Sequence, residues 1–222
     1  MKKVTFYYVR HGQTMFNQVR RLQGTCDSPL TEKGIEDAHR AELALRKVPF
    51  DLAYCSSSER CVDTAAIVLE RHNVKAKPDK RLKEIDFGSL DGHLIHEIKE
   101  EYDRRKKTDD FGDLGGDTRE SITRRITGIF NQIADTAQNG DKVLVVSHGA
   151  FGMHVLEILL GMDTAAFAEY RRALNQNQFA FPNCGIMKFE RAGERWSLLE
   201  LPCEPEQFTD SASALDEAFI AD

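Results

Sequence analysis

The 222-residue chain is 41% apolar and carries 36 acidic against 30 basic side chains, a formal net charge of −6. That length supports one sizeable core, and the acidic balance excludes a general attraction to nucleic acid or to an anionic membrane, so any anion site must be local. No stretch reaches the roughly 20 apolar residues of a membrane span, and the five cysteines show neither CxxC nor metal-ligand spacing, which points to a reducing cytoplasm.

In chain order, Lys3–Val9 reads as a strand; Lys2 and Lys3 followed by the apolar run from Val4 imitate the start of a signal peptide, but Arg10 and His11 interrupt that run. Thr31–Lys47 has helical periodicity with Thr31 at a capping position, Asp51–Ser56 is a strand, and Ser58–His72 is a helix with Ser57 or Ser58 as its cap. Leu94–Asp117 breaks the regularity. It holds a charged helix-like segment, Glu97–Lys107, followed by an Asp- and Gly-rich stretch, and is read as a small excursion covering the mouth of a site. Glu120–Asn139 is a long helix, Lys142–Val146 a strand, and Phe151–Leu160 a helix closed by Gly161. The β-like runs Ala180–Glu190 and Trp196–Leu201 form a hairpin through Ala192-Gly193-Glu194.

This alternation predicts an α/β class: a three-layer α/β/α sandwich with a mainly parallel central sheet and a small cap excursion. The domain is expected over 1–202, with 94–117 as a cap insertion and 203–222 as a loosely held acidic tail. Hairpin and tail are compatible with a monomer or a homodimer.

Two strands deliver a histidine and a glycine to their C-terminal edge, Arg10-His11-Gly12 and Ser147-His148-Gly149, where open α/β sheets bind ligands. With them go Arg60 at a helix start and Glu84. Two arginines suit a dianionic phosphoryl group. A neutral imidazole attacks phosphorus, a second histidine adds a donor for the developing charge, and a carboxyl whose charged form is disfavoured by burial protonates the leaving alkoxide. Gly12 and Gly149 let backbone approach an anion, and the helix after Gly149 is expected to offer free N–H groups. Singly, each residue has a plainer account: His148 a structural strand-end histidine, Arg60 an exposed residue paired with Glu59 or Asp63, Glu84 a solvated carboxylate, Asn17 and Gln23 turn residues. Cys55 to Arg60 is one residue too short for a thiolate phosphatase, and no P-loop run is present.

Arg10-His11-Gly12 with Asn17, Gln23-Gly24, Asp27-Ser28-Pro29-Leu30-Thr31 and Gly34 resembles the histidine phosphatase (phosphoglycerate mutase-like) superfamily. The likeness continues through Ser56–Arg60 with Thr64-Ala65, Glu84–Gly88 with Gly92, Ser147-His148-Gly149 and Asn183-Cys184-Gly185. It implies His11 as the phosphorylated nucleophile, Glu84 as proton donor, Arg10, Arg60 and His148 around the phosphate, and Asn17, Gln23, Gly24 and Gly149 as further phosphate or substrate contacts. No metal and no organic cofactor are implied. The chain departs from the family at Gln13, at Thr25 and at Gly115-Gly116-Asp117-Thr118; the last two are expected near the pocket rim. The short mixed-charge cap and the Glu-Ile-Asp-Phe-Gly run resemble the phosphatase branch, so the expected activity is metal-independent hydrolysis of a small phosphorylated metabolite. The alternatives are a phosphoglycerate mutase and a non-catalytic phospho-ligand-binding module.

Overall fold

The computed structural model describes residues 1–163, 166 and 181–210. Its strands are β1 (Lys3–Arg10), β2 (Leu52–Ser56), β3 (Lys77–Asp79), β4 (Lys142–Ser147), β5 (Ile186–Ala192) and β6 (Arg195–Cys203). They make one six-stranded sheet in the order β3-β2-β4-β1-β5-β6. The first four are parallel to one another, and β5 and β6 run antiparallel beside β1. The helices are α1 (Met15–Gln18), α2 (Glu32–Leu45), α3 (Glu59–Val68), α4 (Lys99–Lys106), α5 (Arg119–Thr136) and α6 (Gly149–Ile158).

Strand alternation builds the three layers. Phe6 and Tyr8 of β1 and Val143 and Val145 of β4 pack against Ile126, Phe130 and Ile133 of α5 and Phe151 and Val155 of α6. Their neighbours Tyr7, Val9, Leu144 and Val146 face the opposite way, onto Ala38, Ala41 and Leu45 of α2 and Ala65 and Val68 of α3. Phe6 is fully buried, with Phe189 stacked on it at 5.1 Å and Phe130 edge-on at 5.8 Å. Phe6→Ala is expected to cost about 3–5 kcal/mol, read as a lowered urea midpoint with an unchanged slope.

Several elements differ from the sequence reading. The second helix stops at Val68, well before His72. Ser58 holds its N-cap position without a side-chain hydrogen bond; Asp27 instead accepts from the Glu59 N–H at 2.6 Å. The last helix begins at Gly149 and ends at Ile158, and β5 starts only at Ile186, after a turn in which Cys184 has φ 55°. Ala180 lies outside the described residues. The strand β3 went unread because Pro78 suppresses strand character except at a sheet edge, where β3 lies. The tail is also corrected as far as Asp210. Phe208 is buried against the α2/α3 side of the core, and Asp210 accepts from Tyr7 Oη at 2.7 Å and from Lys188 Nζ at 2.9 Å. Residues 211–222 lie outside the described residues. Among the described residues, no helix is long and apolar enough to cross a membrane.

Candidate active site

β1 and β4 are adjacent and in register, Arg10 opposite Ser147, so their C-terminal ends bring His11 and His148 together. The rings meet edge-on with centroids 5.3 Å apart. The His11 N–H donates to Ser147 O and the Arg10 N–H to Gly185 O, which fixes the turn on both sides. Gly12 then passes so close to α2 that a Cβ would sit 2.4 Å from Gly34 O. A side chain at Gly12 would push the nucleophile off its strand.

His11 is buried, and its Nδ1 lies 2.8 Å from Gly12 O. A carbonyl only accepts, so Nδ1 carries the proton and Nε2 keeps its lone pair. Burial, reinforced by the Arg60 and Arg10 charges, holds the imidazole well below its ordinary pKa, hence neutral. His148 is likewise held neutral by burial and by Arg60. Its Nδ1 accepts from Arg60 Nη2 at 3.0 Å and its Nε2 donates to Ser56 Oγ at 2.8 Å.

Arg60 corrects the exposed reading. It is fully buried and donates to Gly24 O, Cys26 O and Asp27 Oδ1 at 2.8–2.9 Å as well as to His148. Gly24 in turn donates to Asp91, whose carboxylate also takes the Thr25 and Cys26 N–H groups. Arg10 donates to Phe181 O, and Gly149 lets it pass, since a Cβ there would lie 3.1 Å from Arg10 Nε.

Glu84 is buried beside the start of α6. Its carboxylate accepts from the N–H groups of Ala150 (2.9 Å), Phe151 (2.7 Å) and Ile85 (3.0 Å). The N–H groups expected to be free for a ligand at that helix end are therefore partly taken by Glu84, the usual way a carboxylate satisfies a helix start. From behind, Arg125 of α5 donates to Lys83 O, Glu84 O and Asp117 Oδ2. Asp117 also accepts the Asp86 N–H at 3.0 Å, so this departure braces the Glu84 loop.

These residues open on a cleft of about 400 Å³. Arg10, His11, Asn17, Gln23, Glu84 and Gly149 line it, whereas Arg60, His148 and Gly24 lie behind the lining. Thr25 and Asp117, expected at the rim, do not line it either. Asn17 Oδ1 accepts from the Thr14 N–H and from Asn183, which also donates to His11 O. The sequence reading missed Arg20, Arg21, Ile95, Tyr102, Lys106 and Met153 on the cleft walls. Three of these, Ile95, Tyr102 and Lys106, lie within 94–117.

Asp109, His154 and Glu157 are the cluster with metal-ligand atoms close together among the described residues. Arg119 already donates to both carboxylates, and His154 bonds Ala150 O through Nδ1 and Asp109 through Nε2, so the protein satisfies the cluster itself. It ties the end of the cap to α6. Burial alone lowers His154, but the hydrogen bond and charge of Asp109 outweigh it and leave the imidazole raised. Burial would raise Asp109, and His154 and Arg119 more than reverse that. A raised histidine stabilises the fold fully below its unfolded pKa, about 6.5, and that contribution is lost as pH climbs through the folded value. Hydrogen-exchange protection of 99–117 is thus expected to fall as pH rises from slightly acid to alkaline, and His154→Gln to flatten the dependence. An unchanged profile in the variant would show that the tie does not hold the cap.

An α/β/α sandwich with a buried histidine at the end of an inner strand, arginines near it and a carboxyl lining the same cleft is the architecture of a class of phosphoryl-transfer proteins. The chain belongs to the histidine phosphatase superfamily (branch 1), whose family model matches residues 6–203. It is 31% identical over 195 residues to the probable phosphoglycerate mutase GpmB of Yersinia pestis (strain Pestoides F), covering 86% of each chain. A phosphoglycerate mutase from Bacillus anthracis str. Sterne is similar in structure, with TM-score 0.75 and 26% identity over 90% of this chain and 93% of that one. The α-ribazole phosphatase of Shigella flexneri shares the fold at TM-score 0.72 and 23% identity, over 90% and 96% of the two chains.

Proposed function

We propose that the chain is a metal-independent phosphatase that hydrolyses a small phosphomonoester through phospho-His11. The observation that carries this reading is the contact of His11 Nδ1 with Gly12 O, which sets the tautomer. With Nδ1–H committed to Gly12 O, Nε2 presents a lone pair to the cleft that Arg10 and Glu84 also line. In the first step Nε2 bonds phosphorus, the ester P–O bond breaks, and Glu84 delivers its proton to the departing alkoxide. In the second, Glu84 takes a proton from water, the hydroxide bonds phosphorus and the P–N bond breaks, restoring neutral His11. Arg10 faces the phosphoryl oxygens. Arg60 and His148 act from behind: Arg60 supplies a fixed positive charge, and its bond to His148 Nδ1 sets that ring's tautomer.

The name of the Yersinia pestis relative favours a mutase. A mutase has to hold its alcohol while the phosphoryl group returns to a second hydroxyl, which calls for a basic, closed cap. Here Arg104 and Arg105 pair with Glu101 and Arg105 also with Asp113, so these two cap arginines are satisfied within 94–117, and the adjoining Arg119 of α5 is taken by Asp109 and Glu157. The deciding experiment measures phosphate release from a panel of metabolite esters with and without a chelator, and 2-phosphoglycerate formation from 3-phosphoglycerate. Release insensitive to chelation is expected. Isomerisation without release would establish the mutase instead, and loss of activity on chelation would redirect the mechanism to a metal.

A further inference from the structure

Resting on the phosphatase reading, we propose that the substrate's alcohol is an apolar, ring-sized body with a second negative charge at its far end, read by Tyr102 and Arg20. Arg10, His11, Glu84 and the start of α6 account for the phosphoryl end of the cleft. Much of the rest of its 400 Å³ is bounded by Leu22, Phe87, Ile95, Tyr102, Met153 and Phe181, a volume and apolar character typical of sites for whole small molecules.

A polyhydroxylated alcohol would find few partners there. Both polar atoms of the Gln23 amide and Asn17 Oδ1 are engaged with Thr14, Ser28 and Asn183, which leaves Asn17 Nδ2 as the amide donor with no partner among the described residues, so most of the alcohol's hydroxyls would exchange water for apolar walls. Among the described residues the Tyr102 hydroxyl has no hydrogen-bond partner, and its ring packs edge-on to Phe87, with ring centroids 5.7 Å apart. Its phenol is pushed up to about 12, first by burial and then by the Glu84 charge, so it stays a neutral donor.

The charge on the walls is one-sided. Among the described residues, Arg10, Arg20, Arg21 and Lys106 are the cations lining the cleft and Glu84 the carboxylate. Arg21 is held by Gly92 O, and Lys106 lies 5.9 Å over the Tyr102 ring, one helical turn along the same face of α4. Arg20 has no side-chain hydrogen bond or ion pair among the described residues, and its backbone has φ 56°. Holding an arginine in the left-handed region costs of order 1 kcal/mol, while Arg20 O accepts the Ile95 N–H at 3.0 Å. The unusual backbone therefore sits between the cap and the cleft, with its cation on the wall.

The test compares benzyl phosphate, 4-carboxybenzyl phosphate and glycerol 3-phosphate, whose leaving groups are all primary alkoxides. Turnover is measured in the wild type and binding in His11→Ala. The expected order is carboxybenzyl, then benzyl, then glycerol, in kcat/KM and in affinity. Arg20→Gln should reduce the carboxybenzyl-to-benzyl ratio about tenfold, equivalent to about 1.4 kcal/mol; high salt should shrink the same ratio. Tyr102→Ala should weaken both benzyl esters together and leave their ratio intact. Glycerol 3-phosphate bound as well as benzyl phosphate, or a ratio indifferent to Arg20→Gln, would overturn the proposal. The binding order tests this inference, whereas absence of His11-dependent release from every ester would overturn the hydrolytic reading alone.

Discussion

His11→Ala is expected to lower phosphate release by at least about 10⁴-fold, with the fold intact. On the proposed mechanism, loss of the imidazole removes the atom that accepts the phosphoryl group. Its Nδ1 partner is a backbone carbonyl, Gly12 O, which the variant leaves in place. A wild-type sample quenched in alkali during turnover should carry one phosphoryl group on His11, seen by mass spectrometry of the peptide. Full activity in the variant would end the phosphohistidine mechanism. Activity that vanished together with the cooperative unfolding transition would say only that the side chain is structural.

Glu84→Gln is expected to slow alkyl esters by about 10²–10³-fold and nitrophenyl phosphate far less. An alkoxide must be protonated as it leaves, whereas nitrophenolate departs without help. The substitution has a second consequence, because an amide NH2 replaces one of two acceptor oxygens. It then faces either the Ala150 N–H or the pair from Phe151 and Ile85. Two donors opposed in a buried site cost about 1–3 kcal/mol, so a lowered melting temperature should accompany the kinetic effect. The leaving-group dependence separates the two roles: an equal loss on every ester would mean that Glu84 matters only as the anchor of α6.

The gathering of His11 and His148 at the sheet edge was legible because it rests on local signals. Apolar runs that end abruptly in Arg10-His11-Gly12 and Ser147-His148-Gly149 read as strand ends whatever surrounds them. The burial of Arg60 was a harder case, yet a signal existed. Arg60, Cys61, Thr64, Ala65 and Val68 are the buried residues of α3, so Arg60 lies on the helix's apolar stripe, an uncommon place for a charge without a buried partner. The division of the site into residues on the cleft wall and residues behind it was not legible. Whether His148 turns toward a ligand or toward Ser56 depends on β2, which meets β4 only in the folded sheet. Tyr102 and Lys106 were invisible for a similar reason. The helix α4 is almost wholly charged, and the face that meets the cleft is chosen by the packing of Tyr102 against Phe87, 15 residues before it, and Phe111.

The strand that leads into His11 lies inside the sheet, paired on one flank with β4 and on the other with β5 through nearly its whole length. The cap wall hangs instead on a short helix, a few aromatic contacts and ion pairs that water partly screens. On the proposed reading, breaking phosphorus–oxygen bonds and choosing among alcohols are therefore entrusted to parts of unequal toughness. On warming, the enzyme should become indiscriminate before it becomes idle.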